Sequence, residues 1–253
     1  MLLTRFMPCL LLQNGSLVKT VRFSDAAYIG DPINAIRIYN ELEVDELVFL
    51  DILATPEQRR PSLQTLREIA SECFMPVAYG GGVRTIGDMA EIFRVGVEKV
   101  VVNTHAIEHP DFVTEAARRF GSQSIVASID ARRTARGLEV FTHGGRNGTG
   151  LDPATVARRM AEAGAGEIFL TSIDRDGTMT GYDIELIRTC VAAVAVPVIA
   201  SGGAGTVADL GQAIREGGAA AVAAGSMVVY FGRNRAVLIN VPEKEELDAA
   251  FAN

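Results

Sequence analysis

Cysteine is scarce in this sequence. The three cysteines, Cys9, Cys73 and Cys190, are an odd number, lie far apart and form no C-x-x-C pair. Disulfide frameworks and thiolate metal sites both need several closely patterned cysteines, so neither is predicted and the thiols are interpreted as apolar core filling. The three histidines form no ligand-like cluster with Asp, Glu or Cys either. We therefore expect neither a bound metal nor a cofactor.

Long apolar runs are missing as well. A membrane-spanning helix needs about 18 or more consecutive apolar residues, and no segment of the chain reaches that length. The first residues, MLLTRFMPCLLLQNG, are interrupted by Arg5 and Pro8 and are too short for a secretion signal. The sequence therefore predicts a cytoplasmic protein that does not associate with a membrane.

Positive charge is in the minority. The chain has 24 Lys and Arg against 31 Asp and Glu, a net charge of −7, and no dense basic run. Nucleic-acid binders need such a basic surface, so nucleic acid is not expected as a partner. Apolar residues are abundant instead: 48% of the chain is hydrophobic and 22% is charged. This composition supports a sizeable buried core and excludes a disordered chain.

Short β-rich apolar segments alternate with segments of helical periodicity, which is typical of repeated βα units around a parallel sheet. Eight strands are predicted, beginning near positions 5, 46, 76, 98, 124, 167, 197 and 219. Asp31-Pro32 and Asp152-Pro153 indicate helix starts, with an aspartate cap followed by proline in the first turn. At 253 residues, one α/β domain, a single (β/α)8 TIM barrel, accounts for the whole chain.

The chain also contains an internal duplication. PVAYGGGVRTIGDM, from position 76, matches PVIASGGAGTVADL, from position 197, an offset of 121 residues. The same offset relates Glu46 to Glu167 and Gly82 to Gly203. Two half-barrels of four βα units each, at about residues 1–121 and 122–253, would produce this pattern and close into one barrel with approximate two-fold symmetry.

Glycine-rich turns follow the predicted third and seventh strands, at Gly80 to Gly82 and at Gly202 to Gly203. Backbone N–H groups of such turns, next to a helix N-terminus, can bind an anion. The next strand of each half ends in further donors, at Asn103-Thr104 and at Ala224-Gly225-Ser226. One such turn could simply allow a sharp connection. Its duplication favours two phosphate sites and a small ligand phosphorylated at both ends.

Two aspartates end strands between these turns. Asp130 closes SIVASID, and Asp176, followed by Gly177, lies in the turn after EIFLTSI. Such carboxylates can transfer protons or orient a ligand hydroxyl, although each could instead cap a helix or stabilise a turn. Lys19 lies in a polar segment between Gln13 and Asp31. This segment could be a loop that closes over a ligand phosphate with Lys19 as its charge, or Lys19 could simply be solvated.

Charged residues also mark the beginnings of strands, at Arg5, Glu46, Lys99 and Glu167. Alternate strands of a barrel supply one interior layer, so these side chains could meet near the axis. Two acids and two bases would neutralise one another as a ring of ion pairs. By barrel rules alone, this ring could serve only stability.

The segments PCLLLQNG, LVK, DELVFLDI, YGGGVRT, VVNT, GSQSIVASID, GAGEIFLTSIDRDGT and VPVIASGGAG together resemble the HisF family, from residue 1 to about 227. HisF proteins are the cyclase subunits of imidazole glycerol phosphate synthase, a lyase of histidine biosynthesis. The resemblance implies a glutamine amidotransferase complex. A HisH-like glutaminase would dock on the amino-terminal face of the barrel. Its ammonia would cross the barrel to a bis-phosphorylated substrate.

The resemblance also implies roles for individual residues. One phosphate would be bound by Gly82, Asn103 and Thr104. The other would be bound by Asp176, Gly177, Gly203 and Ala224-Gly225-Ser226. The ammonia gate would consist of Arg5, Glu46, Lys99 and Glu167. Asp130 matches the general acid/base of the family.

The first strand departs from the family pattern. The family reads Cys-Leu-Asp-Val there, whereas this chain reads Cys9-Leu10-Leu11-Leu12. Leu11 thus stands where the family has a catalytic aspartate, and a leucine cannot transfer a proton. Efficient formation of imidazole glycerol phosphate is therefore not expected. The segment AAGSMVVYFG near the eighth strand and the tail after it also depart from the family.

PCLLL, GDPINAIRIYNELEVDEL, ECFMPVAYGGG and RAVLIN resemble HisF-like paralogues associated with acetamidino modification of surface-polysaccharide sugars. That resemblance implies delivery of ammonia to a separate sugar amidotransferase. Three hypotheses stay open. The barrel could supply nitrogen for acetamidino-sugar formation, it could be a true cyclase that uses Asp130 and water, or it could be a non-catalytic scaffold that stimulates the glutaminase.

Overall fold

The computed structural model describes residues 4–252, and its core is a closed barrel of parallel strands. The eight barrel strands are β1 (Arg5–Gln13), β2 (Leu47–Asp51), β3 (Val77–Gly80), β4 (Lys99–Val102), β5 (Ile125–Thr134), β6 (Glu167–Ser172), β7 (Val198–Ser201) and β8 (Ala221–Ala224). Parallel pairing of β8 with β1 closes the barrel. The predicted (β/α)8 fold is confirmed, because each of these strands begins within two residues of its predicted start.

Helices surround the barrel and connect its strands. They are α1 (Pro32–Glu41), α2 (Leu63–Glu72), α3 (Ile86–Arg94), α4 (Thr104–Glu108), α5 (Pro110–Phe120), α6 (Pro153–Ala163), α7 (Ile184–Val191), α8 (Val207–Arg215), α9 (Ser226–Val229) and α10 (Lys244–Phe251). Asp31 and Asp152 cap α1 and α6 through their side chains, as predicted. Thr85 and Thr206 form the same capping box in the two halves, each with the aspartate three residues later.

The alternation of side chains along each strand produces two apolar layers. The inner layer fills the barrel and includes Met7, Val48 and Phe169. The outer layer lies between strands and helices and includes Phe6, Phe49, Tyr79, Leu170 and Ala224. Of the three free cysteines, one is in the inner layer, one is buried in the outer layer and one packs against it, which confirms their interpretation as apolar filling.

Two antiparallel extensions rise above the carboxyl ends of the barrel strands. The first hairpin, Ser16–Val21 and Ser24–Gly30, continues from β1. The second hairpin, Gly137–Thr142 and Asn147–Gly148, continues from β5. The loop expected between Gln13 and Asp31 was wrong, because this segment forms paired strands. Its first strand, which contains the LVK sequence, pairs with the end of β1, and Leu17 and Val18 are buried there.

The tail differs from a plain last helix. A short antiparallel pair, Tyr230–Phe231 with Ala236–Val237, follows α9, and α10 then packs against α8. Among residues 4–252, the helices are all too short or too polar to cross a membrane.

Candidate functional site

A cavity of about 780 Å³ opens at the carboxyl ends of the strands. Both glycine turns line it, Gly80 to Gly82 from the first half and Gly202 to Gly203 from the second. Asn103, Thr104 and Ser226 line the same space. The structure thus brings the two predicted anion sites to one mouth, as a ligand with two phosphates would require.

The strand register relates Leu11 to Asp130. Leu11 pairs with Leu50 between β1 and β2, and Asp130 pairs with Thr171 between β5 and β6. Leu50 and Thr171 are separated by the 121-residue offset of the duplication. Leu11 and Asp130 therefore occupy equivalent positions in the two halves, and both line the cavity. Of these two equivalent positions, only that of Asp130 carries a carboxylate, and the other is occupied by Leu11.

Hydrogen bonds within the protein join the polar groups of the first predicted anion site. The Asn103 amide donates to the carbonyl oxygen of Ser128 at 3.1 Å. The Thr104 hydroxyl donates to Asn103 Oδ1 at 3.2 Å and accepts from the His143 backbone N–H at 2.9 Å. The Gly82 N–H donates to the Thr55 hydroxyl at 3.3 Å. These hydrogen bonds hold the polar groups in place and use their donor hydrogens within the protein, so an anion would bind by replacing some of them.

Glycine is required at Gly82 and Gly203 by the backbone itself. Their φ angles are 70° and 116°, and a Cβ at either position would collide with a carbonyl oxygen, of Arg59 or of Gly181. Only glycine tolerates both conditions. The tight-turn interpretation therefore holds for both positions, and it is compatible with anion binding by the same backbone.

The second predicted anion site contains a buried cation. Lys19 is only 6% exposed, and its Nζ lies 3.9 Å from Asp176 Oδ1. A Cβ at Gly225 would collide with this Nζ, so the ammonium group lies directly over Gly225. The solvated alternative for Lys19 is thereby wrong. The buried hydroxyl of Ser226 has no hydrogen-bond partner within residues 4–252.

Ala224 and Gly177 contribute less directly to the second predicted anion site than the residues beside them. The Ala224 side chain packs in the outer layer and not in the cavity, so only its backbone could contact a ligand. Gly177 lines the cavity with φ 71°, and a Cβ there would collide with the carbonyl oxygen of Thr20. Gly177 therefore lets the first hairpin approach the turn after β6.

The two aspartates lie in different surroundings. Asp176 is buried and accepts a hydrogen bond from the Thr20 hydroxyl at 3.0 Å. Burial raises the pKa of Asp130 to about 7; the hydrogen bond from Ser128 opposes this rise, and the Asp176 charge adds to it. Asp130 can therefore exchange a proton near neutral pH, as a general acid or base must.

At the opposite end of the barrel, four charged side chains form a ring, as predicted. Arg5 contacts Glu46 at 2.7 Å and Glu167 at 2.5 Å. Lys99 contacts the same two carboxylates at 2.9 and 3.1 Å. Burial disfavours the charge on Arg5, but Glu167 and Glu46 outweigh it and raise the pKa of Arg5. Glu46 is 2% exposed, and its Oε1 has no partner within the described chain.

Several cavity residues were not predicted. Asp51 ends β2 and accepts hydrogen bonds from the N–H groups of Leu53 and Ala54, at 3.1 and 3.0 Å. Its position at a strand end in DELVFLD could have indicated it. Arg132 and His143 also line the cavity. No rule about barrel strands indicates them, because both depend on the second hairpin.

Within residues 4–252, no group of three His, Cys, Asp or Glu side chains is arranged to hold a metal ion. His105 lines the cavity, but its ring packs on His109 and Phe112, with centroids 4.7 and 4.8 Å away. Burial, together with the neighbouring His109, lowers the pKa of His105. The neutral ring is therefore favoured at pH 7.

Comparison with known proteins gives a consistent result. Residues 5–234 match the family described as "Histidine biosynthesis protein". Two relatives bear the name "Putative imidazole glycerol phosphate synthase subunit". HisF of Leptospira interrogans is 46% identical over 253 residues, 99% of this chain and 100% of the relative. The other, hisF2 of Pseudomonas aeruginosa, is 49% identical over 245 residues, 96% of this chain and 98% of the relative. A Hyphomonas neptunium protein named "Imidazole glycerol phosphate synthase subunit HisF" is 48% identical over 232 residues, 92% of both chains.

Proposed function

Because this chain belongs to the histidine biosynthesis protein family, as a HisF-type barrel, we propose that it is the ammonia-accepting synthase subunit of a glutamine amidotransferase complex. One observation carries the proposal: the ring of Arg5, Glu46, Lys99 and Glu167 and the two-anion cavity lie at opposite ends of one barrel. An entrance and a reaction chamber would have this arrangement.

The barrel interior between the two ends suits neutral ammonia. Its layer is apolar and includes Met7, Val48, Ala78, Val126 and Phe169. An ammonium ion would lose its hydration there without a compensating partner, whereas uncharged ammonia carries a much smaller cost. In this proposal, a gate of charged groups below this apolar layer would favour transfer of neutral ammonia over transfer of ions.

The partner that follows from this proposal is a HisH-like glutaminase on the amino-terminal face. The ring residues stand at or next to the beginnings of β1, β2, β4 and β6. The two cations of the ring are partly accessible there, with side-chain exposures of 25% for Arg5 and 17% for Lys99. A glutaminase seated over this face would release ammonia beside the ring and not into solvent.

The substrate that suits the cavity is a small molecule with a phosphate at each end. Lys19 and the free hydroxyl of Ser226 would bind one phosphate, with the backbone at Gly203 and Gly225. Asn103, Thr104 and Gly82 would bind the other. In this proposal, Asp130 between the sites is the catalytic acid or base, and Asp176 orients the ligand and the Lys19 ammonium.

The nitrogen is proposed to end in an acetamidino sugar for surface polysaccharide and not in histidine synthesis. This is supported by Leu11 at the position equivalent to Asp130, because cyclisation needs one proton removed and another delivered. A separate sugar amidotransferase would then be the acceptor of the ammonia. Two alternatives are a true cyclase that uses Asp130 and water, and a scaffold that only stimulates the glutaminase.

The experiment compares wild type with Leu11→Asp in the presence of the cyclase substrate and ammonium salt. Positioned acid or base groups contribute about 10²- to 10⁴-fold, so wild type should turn over about a hundredfold more slowly than Leu11→Asp. Asp130→Asn in the Leu11→Asp background should abolish the gain. Wild-type turnover equal to that of an aspartate-bearing relative would establish the true cyclase. Sugar amidination that is unaffected by Asp130→Asn would favour the scaffold.

A further inference from the structure

Arg132 is a cavity residue with no role in the proposal above. It lies on β5 two residues after Asp130, so strand alternation places the two side chains on the same side, and both line the cavity. The next residue, Arg133, is on the other side, exposed, and paired with Glu185 at 2.8 Å. Of these adjacent arginines, Arg132 therefore faces the cavity and Arg133 faces the outer surface.

The guanidinium of Arg132 is held by stacking. Its central carbon lies 4.7 Å from the centroid of the Phe141 ring. Stacking on an aromatic face fixes the plane of a guanidinium and leaves the N–H groups at its edge available. Within the described chain, Arg132 forms no ion pair and no side-chain hydrogen bond. Asp130, the nearest acid along the strand, contacts the Ser128 hydroxyl instead, at 3.4 Å.

The two hairpins meet beside this guanidinium. A Cβ at Gly145, in the turn of the second hairpin, would lie 3.7 Å from an Arg132 terminal nitrogen and 2.9 Å from the ring of Phe23, in the turn of the first. Gly145 therefore leaves room for both side chains. In the barrel, β5 lies between β4, which precedes Asn103, and β6, which precedes Asp176. Arg132 therefore stands on the strand between these two parts of the cavity.

We infer that Arg132 determines specificity by binding a carboxylate carried between the two phosphates of the ligand. This rests on the proposed bis-phosphate site. The planar fork of a guanidinium matches a carboxylate through two parallel N–H···O bonds. A carboxylate also brings one negative charge to balance one arginine. A third phosphate would add a second charge close to Asp130, which disfavours it.

Two probes test this inference: arabinitol 1,5-bisphosphate, and 2-carboxyarabinitol 1,5-bisphosphate, which adds a carboxylate between the phosphates. Calorimetric titration of wild type should show about tenfold tighter binding of the carboxylated compound, as expected for a charge-assisted pair. Arg132→Gln should lose the preference while it still binds both compounds. Arg132→Lys should keep only part of it. Arg133→Gln, the matched control, should retain the full preference.

The outcomes separate this inference from the function on which it rests. Equal binding of the two compounds by wild type would overturn the role of Arg132 and leave the bis-phosphate site intact. A preference that survives in Arg132→Gln would overturn it too. If neither compound displaces inorganic phosphate from the cavity, the bis-phosphate proposal fails and the inference fails with it. Circular dichroism of each variant verifies that it is folded.

Discussion

Removing one charge from the ring of Arg5, Glu46, Lys99 and Glu167 should destabilise the barrel. Glu46→Gln is the sharpest change, because Glu46 Oε2 accepts from both Arg5, at 2.7 Å, and Lys99, at 2.9 Å. At 2% exposure, Glu46 is the most buried member of the ring. The amide of glutamine keeps the size of the side chain but leaves two cations to share the single carboxylate of Glu167.

The magnitude follows from burial. Removing one partner of a fully buried ion pair costs about 3–5 kcal/mol. Arg5 and Lys99 keep Glu167 as a partner and are 25% and 17% exposed. We therefore expect a smaller loss, about 2–3 kcal/mol in the free energy of unfolding. For a chain of this size, that corresponds to a fall of about 5–10 °C in Tm.

Thermal and urea unfolding of wild type and Glu46→Gln measure this loss. Glu98→Gln is the matched control, because Glu98 precedes Lys99 at the same face of the barrel but is exposed. Its Tm should change by less than about 1–2 °C. If the two variants had equal Tm values, the ring would contribute no stability, and the reasoning about its burial would be refuted.

Two further predictions concern the cavity. Gly225→Ala should lower the affinity for inorganic phosphate about tenfold, measured by calorimetry, by displacing the Lys19 ammonium. The control Gly87→Ala, in α3, should bind phosphate as wild type does. Equal phosphate affinities of wild type and Gly225→Ala would place Lys19 outside the site. The raised pKa of Asp130, about 7, means that the folded chain holds this proton more tightly than the unfolded chain, so stability should fall as pH rises from about 4 to 7. Any step that uses Asp130 as a base should accelerate as pH rises through 7. Asp130→Asn should show neither this pH dependence of the rate nor the pH dependence of stability measured by urea unfolding. If either pH dependence persisted in Asp130→Asn, Asp130 would not be its origin.

The fold could be predicted because the barrel strands carry local signals. Each is a short apolar run, and helix starts such as Asp31-Pro32 have a cap with a clear mechanism. The internal duplication added information that no single segment carries, because it related Gly82 to Gly203. It thereby indicated that both glycine turns line one cavity mouth. Ring contacts followed from strand order alone, because the ends of parallel strands meet in a barrel.

The hairpins limited what could be predicted about the site. The burial of Lys19 depends on strands that pair above the barrel, and the polar appearance of that segment indicated a loop. Arg132 stacks on Phe141 only because β5 extends beyond the barrel into the second hairpin. Leu11 was recognised by comparison with a family pattern, but its equivalence to Asp130 required the observed register.

The central claim is that each half of the barrel contributes one anion site to a single cavity. Titration with inorganic phosphate, followed by calorimetry, tests it most directly. Wild type should bind two phosphates per chain, and one equivalent of arabinitol 1,5-bisphosphate should displace both. A single phosphate per chain, or two that the bis-phosphate does not displace together, would contradict the account.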